Sequence, residues 1–230
     1  MPATYINCVL VLLGSVVGLI FKDRISSRFM DAMTKALALC VMGIGITSAI
    51  QTEDTLCVIV CMVVGTLIGV ALGIEQRLDK LGNWIKGKVM KSGDTSRFTE
   101  GFVTASLLYC VGSMAIMGAM EAGMNGDYSI IVSKGVIDGV TSISFAATMG
   151  VGVAFSVIPI LIYQGALTLL AGVVAPLLSA SMVLEMSAVG GTIIMGIGFN
   201  MLFPEKHIPV GNMLPAIFLP ILYILLTSLF

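Results

Sequence analysis

Charged side chains are scarce in this sequence. Asp, Glu, Lys and Arg make up 11% of its 230 residues, against roughly 25% in an ordinary soluble domain. Hydrophobic residues reach 57% and the mean hydropathy is +1.06, as in an integral membrane protein. No polar stretch is long enough to fold as a soluble domain, so we expect the lipid bilayer as a partner and no nucleic acid.

Motifs for catalysis and cofactor binding are absent. No Gly-x-x-x-x-Gly-Lys-Ser/Thr phosphate loop and no Gly-x-Ser-x-Gly nucleophile elbow occurs, which argues against ATP hydrolysis and serine hydrolase chemistry. The lone histidine, His207, excludes bis-histidine haem ligation by this chain and argues against a histidine zinc site. The cysteines lie in apolar segments without a Cys-x-x-Cys pair: Cys8, Cys40, Cys57, Cys61 and Cys110. We expect no metal, no cofactor and no enzymatic activity.

Eight apolar segments are each close to the length of about 20 residues that spans a bilayer as a helix. They predict an all-α polytopic transmembrane bundle of seven or eight segments, in a single membrane domain over residues 1–230. The predicted segments are 3–21, 30–50, 55–74, 100–120, 128–147, 149–174, 182–203 and 210–230.

The longest polar stretch, residues 75–98, separates the first three spans (1–74) from the remaining four or five (99–230). Within it Leu78, Leu81, Ile85 and Val89 recur at helical spacing, and Trp84 lies among them. This pattern predicts an amphipathic helix at the membrane surface.

Basic residues predict the orientation. Cytoplasmic loops of membrane proteins are rich in Lys and Arg, and ten of the twelve bases follow the first or the third segment. They are Lys22, Arg24, Arg28, Lys35, Arg77, Lys80, Lys86, Lys88, Lys91 and Arg97. The hairpins "QTED" and "EAGMNGD" carry acids and no base, so we expect the connector on the cytoplasmic side and the N-terminus outside.

A short repeat, "MGIG", occurs at residues 42–45 and 195–198. If segment 128–147 crosses the membrane fully, the two copies lie in opposite orientations, as in the inverted repeats of many transporters. If that segment is re-entrant, they lie parallel.

Lys134 and Asp138 are the exception to the charge pattern. They lie one helical turn apart and so share a face, inside an apolar segment where a charge costs at least about 2.5 kcal/mol. The polar face continues through Thr141, Ser142 and Thr148.

Two interpretations remain open. In one, this face lines a solute or ion path, with Gln164 as a further ligand and an interrupted helix around Gly150, Gly152 and Pro159. In the other, Lys134 extends to the outer interface and Asp138 is its structural partner. Secondary candidates within or at the ends of spans are Asn7, Glu100, Glu121, Glu185 and Asn200. Because Glu100 and Glu121 lie at the ends of a predicted span, we expect them at the membrane interface.

Several longer stretches resemble the uncharacterised bacterial membrane family typified by YqgA and YdfK. They are "EGFVTASLLYCVGSMAIMGAMEAG", "SKGVIDGVTSISFA", "YQGALTLLAG", "EMSAVGGTIIMGIGFN" and "GNMLPAI". The resemblance covers nearly the whole chain. It implies a multi-pass protein of the bacterial inner membrane, in a family often labelled as transporters, and it assigns no substrate or residue role.

The leading hypothesis is therefore a small secondary transporter or ion-conducting protein with its site in the 134–164 region. The alternative is a structural or regulatory membrane subunit in which Lys134 and Asp138 form a helix-packing ion pair. Small-residue faces such as "GSVVG" and "GTLIG" allow close helix contacts, and we expect a homo-oligomer.

Overall fold

The computed structural model describes residues 1–22, 26–78, 80 and 95–228. Helices account for most of this chain. The ranges of the α-helices are α1 Pro2–Lys22, α2 Ser27–Ala49, α3 Thr55–Leu72, α4 Thr95–Cys110, α5 Ser113–Met124, α6 Ser129–Met149, α7 Gly152–Phe155, α8 Val157–Leu169, α9 Ala171–Val174, α10 Ala180–Leu202 and α11 Leu219–Thr227. Three 3₁₀ segments complete them: Ala175–Leu177, Pro204–Lys206 and Val210–Phe218. Most of the predicted amphipathic connector lies outside the described residues.

Among the described residues, seven helices or helix pairs are long and apolar enough to cross a membrane: α1, α2, α3, α6, α7 with α8, α10, and Val210–Phe218 with α11. A further pair, α4 and α5, passes the same test as one unit but is bent by 59°. The bend lies at Gly112, whose φ of +118° favours glycine. The predicted all-α bundle of seven or eight segments is confirmed.

α1 and α6 pack side by side and run in the same direction. A Cβ atom on residue 14 would lie 1.9 Å from the Gly139 carbonyl oxygen, and one on residue 18 would lie 2.2 Å from that of Ile143. Glycine is therefore what lets the two backbones touch. α6 follows α1 over this length without a break, and it is long and apolar enough to cross a membrane.

The two "MGIG" copies meet in an antiparallel crossing of α2 and α10. Gly45 lies against the Gly191 carbonyl and Met195, while Gly198 lies against the Ala38 carbonyl and Met42. The second glycine of each "MGIG" copy thus contacts the methionine that begins the other copy. This is the opposite orientation that an inverted repeat requires.

α3 packs against the 3₁₀ segment Val210–Phe218, again antiparallel. Gly65 abuts Ala216, and a Cβ on residue 69 would lie 1.9 Å from the Asn212 carbonyl oxygen. At the start of α3, Asp54 accepts hydrogen bonds from the N–H groups of Leu56 and Cys57, and Gly73 closes the helix with a φ of +61°.

The bundle has two ends, the first end and the second end. The first end carries Met1 and residues 50–54, 125–128 and 170–179; the second end carries Lys22 and residues 73–78, 150–151 and 203–209. At the first end Asp127 accepts from the Ser129 N–H at 2.9 Å, a bond that holds the pKa of Asp127 below its usual range.

The interrupted helix predicted around Gly150, Gly152 and Pro159 is not at mid-bundle. Gly150 ends α6 at the second end with a φ of +85°, near the Lys22 ammonium. Pro159 lies in the first turn of α8, where its missing N–H breaks no helical hydrogen bond. The sharp bend is at Gly112 instead, which the sequence reasoning did not identify.

Candidate functional site

Lys134 and Asp138 form an ion pair inside the protein. Only 6% and 5% of their surfaces are exposed, and the Lys134 ammonium donates a hydrogen bond to the Asp138 carboxylate. Asp138 is nine residues into the 21-residue helix α6, about 13.5 Å along its axis at the usual rise. The Lys134 side chain thus pairs towards the middle of the bundle and does not extend to the first end.

Asn7 and Gln164 complete the centre of this site from two other helices. The Asn7 amide of α1 donates to the Asp138 carboxylate at 3.4 Å and to the Gln164 side-chain oxygen of α8 at 3.1 Å. Both amide side chains are fully buried. The structure therefore brings together Lys134, Asp138, Gln164 and the secondary candidate Asn7.

Tyr109 of α4 is a fifth contributor, and the sequence reasoning missed it. Its hydroxyl lies 2.8 Å from the Ser142 hydroxyl and accepts a long bond of 3.4 Å from Thr141. The Lys134 ammonium is 5.8 Å from the centre of the Tyr109 ring, within cation–π range. Tyr109 lies one residue before Cys110, where α4 ends, and no local sequence pattern marks its role.

Thr141 and Ser142 line the same region, while Thr148 does not. The Ser142 hydroxyl donates to the Asp138 carbonyl at 2.7 Å, and the Thr141 hydroxyl lies 3.0 Å from the same carbonyl oxygen. Thr148 is bonded to the Ser144 and Phe145 carbonyls of its own helix. It is ten residues beyond Asp138, about 15 Å along α6, so it lies outside the cluster.

Several polar atoms around the pair have unused bonding capacity. The Asn7 oxygen and the Gln164 nitrogen are buried without a hydrogen-bond partner in the described part of the chain, as are the hydroxyls of Thr4, Ser15 and Thr168. An unsatisfied buried polar group costs about 1–3 kcal/mol. These atoms can therefore bond to water or to a ligand at the site.

Glu185 belongs to a different place. Its carboxylate accepts from the Thr52 hydroxyl at 2.6 Å and from the N–H groups of Glu53 and Asp54 at 2.8 and 3.1 Å. Glu185 therefore fastens the α2–α3 hairpin to α10 at the first end, away from the Asp138 network.

The other three secondary candidates also lie apart. Asn200 exchanges two hydrogen bonds with the backbone of Ile208 and closes the hairpin at the second end. Glu121 accepts from the Asn125 amide at 2.6 Å in the last turn of α5, and Glu100 is exposed on α4.

A cavity of about 320 Å³ lies between α4, α8 and the 3₁₀ segment Val210–Phe218, and no residue of the site lines it. Its walls are almost wholly apolar, and Cys110 and Tyr163 are the lining residues nearest in sequence to Tyr109 and Gln164. Among the residues that the structure describes, no three His, Cys, Asp or Glu side chains are grouped to hold a metal ion.

Comparison with known proteins gives a family match. The family described as "Protein of unknown function (DUF554)" matches residues 2–225. The "Uncharacterized membrane protein YdfK" of Bacillus subtilis (strain 168) is 33% identical over 224 residues, covering 96% of this chain and 94% of the relative. The "Uncharacterized protein YqgA" of Escherichia coli (strain K12) is 33% identical over 219 residues, covering 94% and 92%. No solved structure matches.

Proposed function

This chain belongs to the family of unknown function DUF554, and from the chemistry of its buried site we propose that it is a secondary transporter or ion-conducting membrane protein for a small solute or ion. The observation that carries the proposal is the Lys134–Asp138 pair, buried mid-helix and surrounded by amide groups with unused bonding capacity. Ionisable residues inside membrane spans mark ion and proton pathways in many transporters.

Each residue has a definite role in this proposal. Asp138 binds the proton or cation, and Lys134 is the internal countercharge that occupies the carboxylate when the ligand is absent. Asn7 and Gln164 offer a free carbonyl oxygen and a free amide N–H to the ligand. Ligand binding at Asp138 then competes with Lys134, which is how one binding event changes the contacts between helices.

The fold supports the same function. Three helices meet at the pair, and α4, which brings Tyr109, ends at the Gly112 bend. Bent or interrupted helices around a polar site are common in transporters, because they free backbone groups and give the site two packing arrangements. The crossed "MGIG" helices supply the inverted orientation that such proteins often use.

We propose the bacterial inner membrane as the location, with the first end outside and the second end in the cytoplasm. Lys22, Arg77 and Lys206 lie towards the second end, while Glu53 and Asp54 lie at the first. Positive residues favour the cytoplasmic side. The outward faces are apolar, with Leu13, Leu39 and Leu67 exposed, and are suited to lipid or to a second copy in a homo-oligomer.

One observation favours a structural role as a second candidate. The pair lies on the helix whose glycines pack directly on α1, so Lys134 and Asp138 could serve to hold α6 in place. The two candidates differ in what happens when both charges are removed together.

The test is the variant Lys134→Met/Asp138→Asn, which removes both charges and keeps similar volumes and the hydrogen bond from Asn7. Its matched control is Lys35→Met/Asp31→Asn at an exposed pair on α2, where an ion pair contributes only about 0–1 kcal/mol. Both variants and the wild type are purified into liposomes that contain a pH-sensitive dye.

The liposomes are challenged with gradients of H⁺, Na⁺ and K⁺ and with pools of amino acids and small carboxylates. We expect the wild type and the control variant to move protons or ions under at least one gradient, and the site variant to remain folded without flux. If the site variant keeps the wild-type flux, the structural role is favoured. Traces from the wild type equal to those from empty liposomes contradict transport of any solute in the panel.

A further inference from the structure

Five buried polar atoms on α1 and α8 have no hydrogen-bond partner among the described residues, and four of them lie in the half of each helix nearer the first end. These four are the hydroxyls of Thr4 and Thr168, the Asn7 oxygen and the Gln164 nitrogen. Each side chain is at most 7% exposed. Natural proteins satisfy most such groups, and buried polar sites are where ordered water does so.

These atoms belong to one row. Thr4 precedes Asn7 by three residues and Thr168 follows Gln164 by four, spacings that place each pair on one helix face. α1 and α8 run in opposite directions: Asn7 bonds to Gln164, and the Met1 side chain is 3.6 Å from where a Cβ on residue 165 would be. Thr4 and Thr168 therefore lie about one turn nearer the first end than Asn7 and Gln164.

The row has an end point at each side. Towards the first end it begins in the first turn of α1 and the last turn of α8. Towards the middle it reaches Asp138, which accepts from the Asn7 amide. We propose that this row is a water-filled path that carries protons from the first end of the bundle to Asp138. The inference rests on the proposed function and names its coupling ion.

The chemistry of the row fits protons better than metal cations. Hydroxyl groups both donate and accept hydrogen bonds, so Thr4 and Thr168 hold water in a chain along which protons exchange. The row offers no carboxylate before Asp138. The Lys134 ammonium is hydrogen-bonded to the Asp138 carboxylate and repels a metal cation that approaches it.

The proton balance is simple. A proton from bulk water passes along the chain, and an O–H bond forms on the Asp138 carboxylate. Lys134 keeps its proton and loses its partner, so the net charge of the pair changes from 0 to +1. Other titratable side chains that are buried or half-buried on the helices packed against this region include Cys8 of α1, Tyr109 and Cys110 of α4, Glu121 of α5 and Tyr163 of α8.

Thiol labelling tests the path. In a chain whose five native cysteines are replaced by alanine, Thr4→Cys and Thr168→Cys are treated in intact spheroplasts with a charged, membrane-impermeant methanethiosulfonate. Ile6→Cys and Leu169→Cys are the matched controls, since they lie at similar depth on the same helices and are 42% and 67% exposed on outward faces.

We expect the cysteines at the two threonine positions to react at least about tenfold faster than those at the control positions. The reagent reacts with the thiolate, and lipid raises the pKa of a thiol; each unit of increase removes nine-tenths of the thiolate. Reaction at equal or lower rates overturns the path. Faster reaction from the opposite side, in inverted vesicles, overturns its direction.

If the cysteine-free chain does not insert, the wild type and Thr4→Val/Thr168→Val are compared instead. Asp138 modification by a water-soluble carbodiimide added at the first end is measured by mass spectrometry. We expect the variant to lose most of this modification, and equal rates overturn the path.

These outcomes separate the path from the proposed function. Labelling reports access to water and does not depend on flux. Fast labelling together with wild-type flux in Lys134→Met/Asp138→Asn keeps the path and contradicts the proposed site. Slow labelling together with lost flux in that variant contradicts the path and keeps the site.

Discussion

The Asn7 amide donates to the Gln164 side-chain oxygen at 3.1 Å, although the two residues are 157 positions apart in the chain. This bond joins α1 to α8, and the same amide reaches Asp138 on α6. One short side chain therefore connects three helices at the site. A movement of α1 changes the contacts of both Asp138 and Gln164.

Removal of one partner of the ion pair is expected to cost more than removal of both. Lys134→Ala leaves the Asp138 carboxylate buried without its cation, a change that typically destabilises by about 3–5 kcal/mol. In Lys134→Ala/Asp138→Ala most of this loss is recovered, because no unpaired charge remains. Thermal unfolding in detergent measures both variants.

The exposed ion pair on α2 is the comparison for the single and double variants of Lys134 and Asp138. Lys35→Ala and Asp31→Ala each remove one partner of an exposed pair near the start of α2, and exposed pairs contribute about 0.2–1 kcal/mol. Additive losses at Lys134 and Asp138, with no recovery in the double variant, would show that the two charges are not coupled.

Gly14→Ala is expected to separate α1 from α6. The added methyl group would lie 1.9 Å from the Gly139 carbonyl oxygen, and backbone cannot rotate away as a side chain can. Overpacking of this kind costs about 1–3 kcal/mol. The displacement also weakens the bond between Asn7 and Asp138, so we expect reduced flux as well as a lower unfolding temperature.

Gly43→Ala is the matched control in α2. No atom lies within 4 Å of the added methyl group, and alanine is favoured over glycine in a helix by about 1 kcal/mol. We expect unchanged flux and equal or higher stability. A similar loss of flux and stability in Gly14→Ala and Gly43→Ala would mean that the contact between α1 and α6 is not the cause of the loss.

The spans could be predicted from the sequence because they depend on local properties. A run of about 20 apolar residues is enough to identify a crossing helix, and this holds for α1, α3 and α6. The bent pair was predicted as a single span, since Gly112 alone does not distinguish a bend from an ordinary glycine in a membrane helix.

The site was predictable only where a residue is conspicuous by itself. Lys134, Asp138 and Gln164 stand out as polar residues deep in apolar segments. Thr4, Thr168 and Tyr109 do not, because their roles depend on which helix each one faces. That pairing is decided by backbone contacts between distant glycines, such as Gly14 with Gly139, and no local pattern reports it.

Gly112→Ala is expected to strain the bend between α4 and α5. A φ of +118° lies outside the regions that residues with a Cβ atom adopt readily, at a cost of about 1–3 kcal/mol. If the chain relieves the strain by straightening, Tyr109 moves away from Ser142. We expect a lower unfolding temperature and changed Tyr109 fluorescence in a variant in which the other four tyrosines and Trp84 are phenylalanine.

Gly172→Ala in α9 is the control for the bend. No atom lies within 4 Å of its added methyl group, and its φ is outside the positive range. We expect no loss of stability there. Equal stability of the Gly112 and Gly172 variants would contradict a role for the positive φ.

Glu185→Gln is expected to loosen a hairpin without affecting transport. The carboxylate accepts three hydrogen bonds from residues 52–54, and an amide replaces one of its two acceptor oxygens with a donor. The two backbone N–H groups share one carboxylate oxygen, so they then bond to an uncharged amide oxygen and the NH₂ group faces the Thr52 hydroxyl. Bonds to a neutral acceptor are weaker than bonds to a carboxylate by about 1 kcal/mol. Hydrogen exchange at residues 50–54 should accelerate, while flux through the Asp138 site should equal that of the wild type.

Glu205→Gln, at an exposed position in the hairpin of the second end, makes the same chemical change without removing a buried contact. We expect neither exchange nor flux to change there. Lost flux in Glu185→Gln with unaltered hairpin exchange would instead place Glu185 on the ion path, since the structural contact would then be intact. The pairing of the two measurements therefore distinguishes a fastening residue from a binding residue.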